Sequence, residues 1–476
     1  MISQLKNAPT ILSLKQHYST GYSPQQVVKV IFERIAERGR DGIWTYLLSK
    51  DEVIERAKNL EQIDASELQQ YPLWGIPFSV KDCIDVAGIP TSCACPDFAY
   101  RATQTNLVVQ KLLNAGAILI GKTNLDQFST GLVGIRTGYD VPHNAFVEDY
   151  IPGGSSSGAA LSVAHGLVSF AIGTDTGGSG RVPASFNNIV GLKPTRGLLS
   201  TAHMVDACKT LDCVSIFART AADAKTVLDI AKGFDRTDPF SRSESSPPLH
   251  LSSYQKDQPF RFGVPSVEQR EFFGNSDVAD LFDQAIATLI AMGGTCVAID
   301  YAPFLQANQL LFDGAWVAER YTSVGQFIEA HPQAVFPVTR DVILKAKTIT
   351  ATAAFEGIYA IATLKRQIQP IWQTIDVLVV PTTGTAYRIA EVEADPLTLN
   401  ANLGYYTNFV NLLDLAAIAI PNGFQANGVP AGVTLIAPPY TESYLVSIGS
   451  FFHQHRINYV HVAEITIDFF PNVNKD

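Results

Sequence analysis

The chain has 476 residues, 46% of them hydrophobic and 17% charged, which describes an ordinary globular protein able to bury a large core. A net charge of -10 argues against a general nucleic-acid binder, which needs basic patches to neutralise phosphates. No apolar run reaches the roughly 18–20 residues that cross a bilayer, so no membrane partner is expected.

Residues 1–70 read as helical: Ser23-Pro24 opens a helix over 25–38, with apolar positions at Val27, Val28, Ile31 and Ile35. Residues 75–86 read as strands, 107–115 as a helix and 117–120 as a buried strand. The alternation continues with a helix over 159–168, a strand over 169–172 and a helix over 221–233. It predicts a layered α/β fold with helices on both faces of a sheet. Residues 235–258, rich in Ser, Pro and Asp, read as a surface loop. Beyond them come a strand at 261–264, a helix at 278–292, a helical segment at 306–330, and strands at 375–380 and 431–437. The simplest organisation is an N-terminal helical segment (1–70) packed on one domain (71–476), with a helical insertion at about 265–370 contributing to the substrate pocket.

Nothing at the N-terminus pairs an apolar core with a small-residue cleavage site. Cys83, Cys93, Cys95, Cys208, Cys213 and Cys296 form no C-x-x-C pair, so zinc is not expected. Sparse cysteines of this kind predict reduced, mostly buried thiols and a cytoplasmic protein.

Three segments carry chemistry. Lys81 lies among Ile76, Phe78 and Val80, where burial would favour the neutral amine and so a general base. In a strand of period two, Lys81 and Asp82 point to opposite faces, so Asp82 is not automatically its partner. The run Gly173-Thr174-Asp175-Thr176-Gly177-Gly178-Ser179-Gly180-Arg181 can converge backbone N–H groups on an oxyanion, with Ser179 beside them. The run Gly153-Gly154-Ser155-Ser156-Ser157-Gly158 supplies further hydroxyls. It also fits the G-x-S-x-G elbow of α/β-hydrolases, but that elbow needs a strand directly before it, and Tyr150-Ile151-Pro152-Gly153 ends a strand poorly. His453 and His455 as a metal pair lack a third ligand.

Lys81, Ser155 and Ser179 in their blocks resemble the amidase signature family over about residues 73–449. The resemblance implies an α/β amidase-signature fold, a twisted mixed β-sheet sandwiched by helices. It implies Ser179 as nucleophile, Ser155 (the family's cis-peptide serine) as relay, Lys81 as base, and the N–H groups of Thr176, Gly177 and Gly178 as the oxyanion hole. No cofactor is implied.

Within the family, several blocks are most similar to allophanate hydrolases: Asp85-Val86-Ala87-Gly88-Ile89-Pro90-Thr91, Leu211-Asp212-Cys213-Val214-Ser215 and Gly314-Ala315-Trp316-Val317-Ala318-Glu319-Arg320 among them. That resemblance implies hydrolysis of the terminal amide of allophanate with release of ammonia, hence a small anionic substrate. Arg320 would bind its carboxylate through a guanidinium fork, with Gly131 and Phe312 also at the substrate. Two departures stand out: Phe312 replaces the subgroup's tyrosine, and Thr176-Gly177-Gly178-Ser179 replaces an expected Thr-Ala-Gly-Ser. The resemblance also stops short of the extra C-terminal domain many allophanate hydrolases carry. Alternatives are an amidase for biuret, guanylurea or another small amide, a glutamyl-tRNA amidotransferase A-like subunit, or a non-catalytic binding homologue. Relatives often form homodimers.

Overall fold

In the computed structural model, which describes residues 9–243, 251–256, 258–312 and 314–459, the buried apolar runs become strands of one large sheet. In chain order the strands are β1 (Trp44–Leu47), β2 (Pro77–Lys81), β3 (Pro90–Thr91), β4 (Tyr100–Arg101), β5 (Ile118–Thr123), β6 (Phe170–Asp175) and β7 (Val190–Lys193). They continue as β8 (Cys213–Ala218), β9 (Phe260–Pro265), β10 (Gly294–Ile299), β11 (Val377–Pro381), β12 (Ala416–Phe424) and β13 (Pro430–Ala437). Among the described residues, 11 strands pair in the order β1-β5-β2-β6-β8-β7-β12-β13-β11-β9-β10, and β3 pairs with β4 apart from them.

The sheet is mixed. β2 runs parallel to β5 and to β6, and β9 parallel to β10 and β11. The remaining pairs, such as β6 with β8 and β12 with β13, are antiparallel. Every residue of β2, β5, β6, β7, β8, β11 and β13 is buried, which requires cover on both faces and explains why these strands lack alternation. Helices supply that cover, as the sequence predicts. No helix among the described residues is long and apolar enough to cross a membrane. All six cysteines are free, and only Cys296 is exposed.

Two segments differ from their expected form. Residues 1–70 are not wholly helical, because β1 pairs antiparallel with β5 and forms one edge of the sheet. Four residues half-buried throughout give no period to read. Likewise 265–370 is not only helical: β10 lies parallel to β9 and forms the opposite edge. The helical segment expected over 306–330 is two helices, Ala302–Leu310 and Ala315–Ala330, broken before Gly314. Part of the expected loop at 235–258, residues 244–250 and 257, lies outside the described residues.

Candidate active site

β2 and β6 are parallel neighbours inside the sheet with Val80 opposite Ile172, so Lys81 and Thr174 both stand at the carboxyl ends of their strands. In open α/β sheets ligands bind outside those carboxyl ends. Lys81 is 0% exposed, and its Nζ lies 2.7 Å from Ser155 Oγ and 2.7 Å from Thr174 Oγ1. Asp82 turns the other way, as strand period requires, and pairs with Lys122 at 3.2 Å. Burial pushes the Lys81 amine below the ordinary lysine range, and the opposing pull of Cys83, Cys93, Asp126 and Asp212 does not restore it. A neutral amine held by two hydroxyls is equipped to take a proton.

Ser155 follows a cis peptide bond from Gly154 and is fully buried. The Gly154 N–H donates to Leu132 O at 2.8 Å, and Ser155 O accepts from the Asp126 N–H at 3.1 Å. A Cβ on Gly154 would stand 2.6 Å from the Gly134 nitrogen, so only glycine passes there. Ser156, the central serine of the elbow-like run, donates its hydroxyl to Thr174 O at 3.0 Å and is preceded by no strand. That hydroxyl is a fastener between segments.

Asp175 organises the loop that carries Ser179. Its carboxylate accepts from the Gly178 N–H (2.8 Å) and the Gly180 N–H (3.0 Å), and takes both arms of Arg181 at 2.9 and 3.0 Å. Both side chains are 0% exposed. Burial alone would raise the Asp175 pKa, but Arg181 and the N–H donors outweigh it and hold it below the usual carboxylate range. The Gly178 N–H, expected in the oxyanion hole, is therefore committed to Asp175. The amides of Thr176 and Gly177 have no acceptor among the described residues. The Thr176 hydroxyl donates to Asp212 Oδ1 at 2.5 Å, fixing the other end of the loop. Ser179, 3% exposed, has a hydroxyl with no partner among the described residues.

Arg320 lies on the helix Ala315–Ala330 and is 4% exposed, and among the described residues its hydrogen-bond partner is a hydroxyl and not a carboxylate. Its Nη1 donates to Thr130 Oγ1 at 3.3 Å, and its Nε has no acceptor among the described residues. Phe312 packs its ring 5.6 Å from the guanidinium carbon and lines a cavity of about 380 Å³ together with Thr130 and Arg136. Gly131, next to Thr130, stands against Asp126, whose Oδ2 would be 2.8 Å from a Cβ there. Arg320, Phe312 and Gly131 thus come together around Thr130.

Sequence reasoning assigns no role to Thr174, Asp175, Arg181 or Asp212. The first three stand inside the glycine-rich run that contains Ser179, and that proximity is the available signal. Asp212 stands in the block at 211–215 that carries the resemblance, but its link to Thr176 is made only by folding.

Residues 26–446 match the family described as Amidase. The chain is 40% identical over 418 residues to the urea amidolyase of Saccharomyces cerevisiae, covering 87% of this chain and 22% of that protein. It therefore spans about a fifth of that relative's length. It is 32% identical over 439 residues to the glutamyl-tRNA(Gln) amidotransferase A subunit of a Picosynechococcus species, covering 86% of this chain and 89% of that one. Among solved structures, the allophanate hydrolase of Kluyveromyces lactis superposes with a TM-score of 0.90 and 34% identity, over 97% of this chain and 75% of that chain.

Proposed function

The chain belongs to the amidase family, and from that premise we propose that it hydrolyses the terminal amide of allophanate, with Ser179 as nucleophile, Ser155 as relay and Lys81 as base. The observation that carries this is the buried Lys81 amine, 2.7 Å from Ser155 Oγ, beside the loop that ends in Ser179.

The Ser179 hydroxyl attacks the amide carbon; its proton passes to Ser155 while the Ser155 proton passes to Lys81. The oxyanion forms against the Thr176 and Gly177 N–H groups. Its collapse breaks the C–N bond, and the proton returns from Lys81 through Ser155 to the leaving nitrogen, which departs as ammonia. Water then cleaves the acyl-serine by the same path, releasing the N-carboxylated carbamate and restoring Ser179.

Arg320 supports an anionic substrate. A buried guanidinium without a carboxylate partner is costly, and a substrate carboxylate would complete it. A second reading is the glutamine-hydrolysing component of a transfer RNA amidotransferase, favoured by the 89% of that relative's length the chain covers. A cytoplasmic location, on the sparse free thiols, and a homodimer, on the resemblance alone, complete the proposal.

Ammonia release from allophanate, biuret, glutamine and an aliphatic amide, each repeated with Ser179→Ala, tests the reading. Release from allophanate that vanishes in the variant supports it. Release from glutamine or a neutral amide in its place would discard the substrate and keep the chemistry.

A further inference from the structure

Thr130 stands between two guanidinium groups, and none of the steps above uses it. Its hydroxyl accepts from Arg320 Nη1 at 3.3 Å and donates to Phe128 O at 3.1 Å. Its carbonyl accepts from Arg136 Nη1 at 3.1 Å, and the other arm of Arg136 donates to Pro396 O at 2.6 Å. The Thr130 N–H donates to Gln127 O at 3.1 Å. Every polar group of this buried residue is therefore engaged.

The backbone leading to Thr130 is strained. Phe128 (φ 53°) and Ser129 (φ 54°) are consecutive non-glycine residues in the left-handed region, where such residues stay only if their surroundings hold them. Part of that hold is the Phe128 ring, which meets the edge of Phe327 with centroids 6.1 Å apart. Phe327 lies two turns beyond Arg320 on the helix Ala315–Ala330, hence on the same face. Residues 128–130 thus grip that helix at two points, the Phe327 ring and the Arg320 guanidinium.

Arg320 has one hydrogen bond to the protein among the described residues, the one to Thr130. Its Nε is buried without an acceptor there and its Nη1 is held, so Nη2 is the arm left open to a ligand. An arginine released from that anchor would regain rotamer freedom and point its charge in several directions.

We propose that Thr130 is the positioning residue for Arg320, its hydroxyl fixing the guanidinium so that Nη2 meets a substrate carboxylate. This rests on the substrate reading given above and deepens it, by naming the group that sets selectivity for charge.

Thr130→Val keeps the volume and removes the hydroxyl; Thr130→Ser keeps the hydroxyl and removes the methyl. Calorimetric titration of malonate into the catalytically silent Ser179→Ala protein reads the carboxylate site without turnover. Adding Thr130→Val should weaken malonate about tenfold, as one lost hydrogen bond to a charged group implies. Adding Thr130→Ser should keep it within about threefold. A packing role would be served by valine and not by serine, so the order of the two variants separates positioning from packing. With allophanate and an intact Ser179, Thr130→Val should raise KM about tenfold and hold kcat within about threefold. Thr130→Ala replaces the Val variant if that one does not fold. Unchanged malonate affinity without the hydroxyl, a Ser variant as weak as the Val variant, a loss in kcat at unchanged KM, or no malonate binding at all would overturn the role. Ammonia release from allophanate by the intact enzyme is decided separately. Release with malonate affinity indifferent to Thr130 sinks the positioning role alone, and no release with Thr130-dependent malonate binding sinks the substrate alone.

Discussion

Thr174 Oγ1 stands 2.7 Å from Lys81 Nζ, the same separation that Lys81 keeps from Ser155 Oγ. Two hydroxyls on two different segments hold the amine, so its direction toward Ser155 is set by Thr174 as well. Replacing Thr174 by Val, which keeps shape and removes the acceptor, should lower kcat about tenfold with little change in KM. Thr174→Ser should recover most of the loss. Steady-state kinetics on the two variants checks this, and a Val variant with wild-type kcat would contradict it.

Lys81 must be neutral to accept a proton, and burial places its pKa below the ordinary lysine value. Activity should therefore fall as pH drops through that lowered pKa, and the plateau should be reached well below about pH 10. The sign for stability follows the same way. The folded chain binds this proton less readily than the unfolded chain, so the Lys81 contribution to stability decreases as pH falls from the unfolded value toward the folded one. A rate profile whose acid limb sits near the ordinary lysine pKa would contradict the neutral-amine assignment.

Asp212 behaves oppositely. Burial raises its carboxyl to about 7 and neighbouring Asp206 adds to the rise, while the Thr176 hydroxyl and the Ala207 and Cys208 N–H groups oppose it. The folded chain holds this proton more tightly than the unfolded chain. Its contribution to stability is then full at low pH and fades as pH rises toward about 7. Asp212→Asn sets an amide NH2 against these donors and should be less stable than the parent at pH 5, and the deficit should shrink by on the order of 1 kcal/mol or more at pH 8, where the parent's carboxyl is ionised. Thermal melting at the two pH values checks the narrowing.

Arg320→Met should raise KM for an anionic amide by about 10- to 100-fold, the range for a lost charge-assisted contact. The KM for biuret, which has no carboxylate, should move by less than about threefold. Equal losses on both substrates would show that Arg320 supports the fold of the pocket and does not read charge.

Lys81 stands out locally as a lysine in a buried strand and Ser179 as a hydroxyl beside a glycine-rich run, while Ser155, one of three adjacent serines, is singled out only by the resemblance to the amidase signature family. The order of layers was legible from local patterns too. The strands β1, β3, β4, β7, β8, β10 and β12 went unread. β7 and β8 are buried on both faces and carry no alternation, so their apolar runs resemble buried helix segments. Arg181 shows the limit at the site: exposed arginines are the rule, and only the structure reveals this one fully buried on Asp175. The commitment of the Gly178 N–H to that same carboxylate was equally unreadable, because a glycine-rich run tells which dihedrals are allowed and not which acceptor waits.

The central claim is that Ser179 is the nucleophile that Lys81 activates through Ser155. Mass spectrometry after reaction with a fluorophosphonate tests it most directly, on the parent protein and on Lys81→Ala. The account predicts one adduct on Ser179 in the parent and labelling slowed at least about 100-fold in the variant. An adduct on another residue, or equal labelling rates in the two proteins, would contradict it.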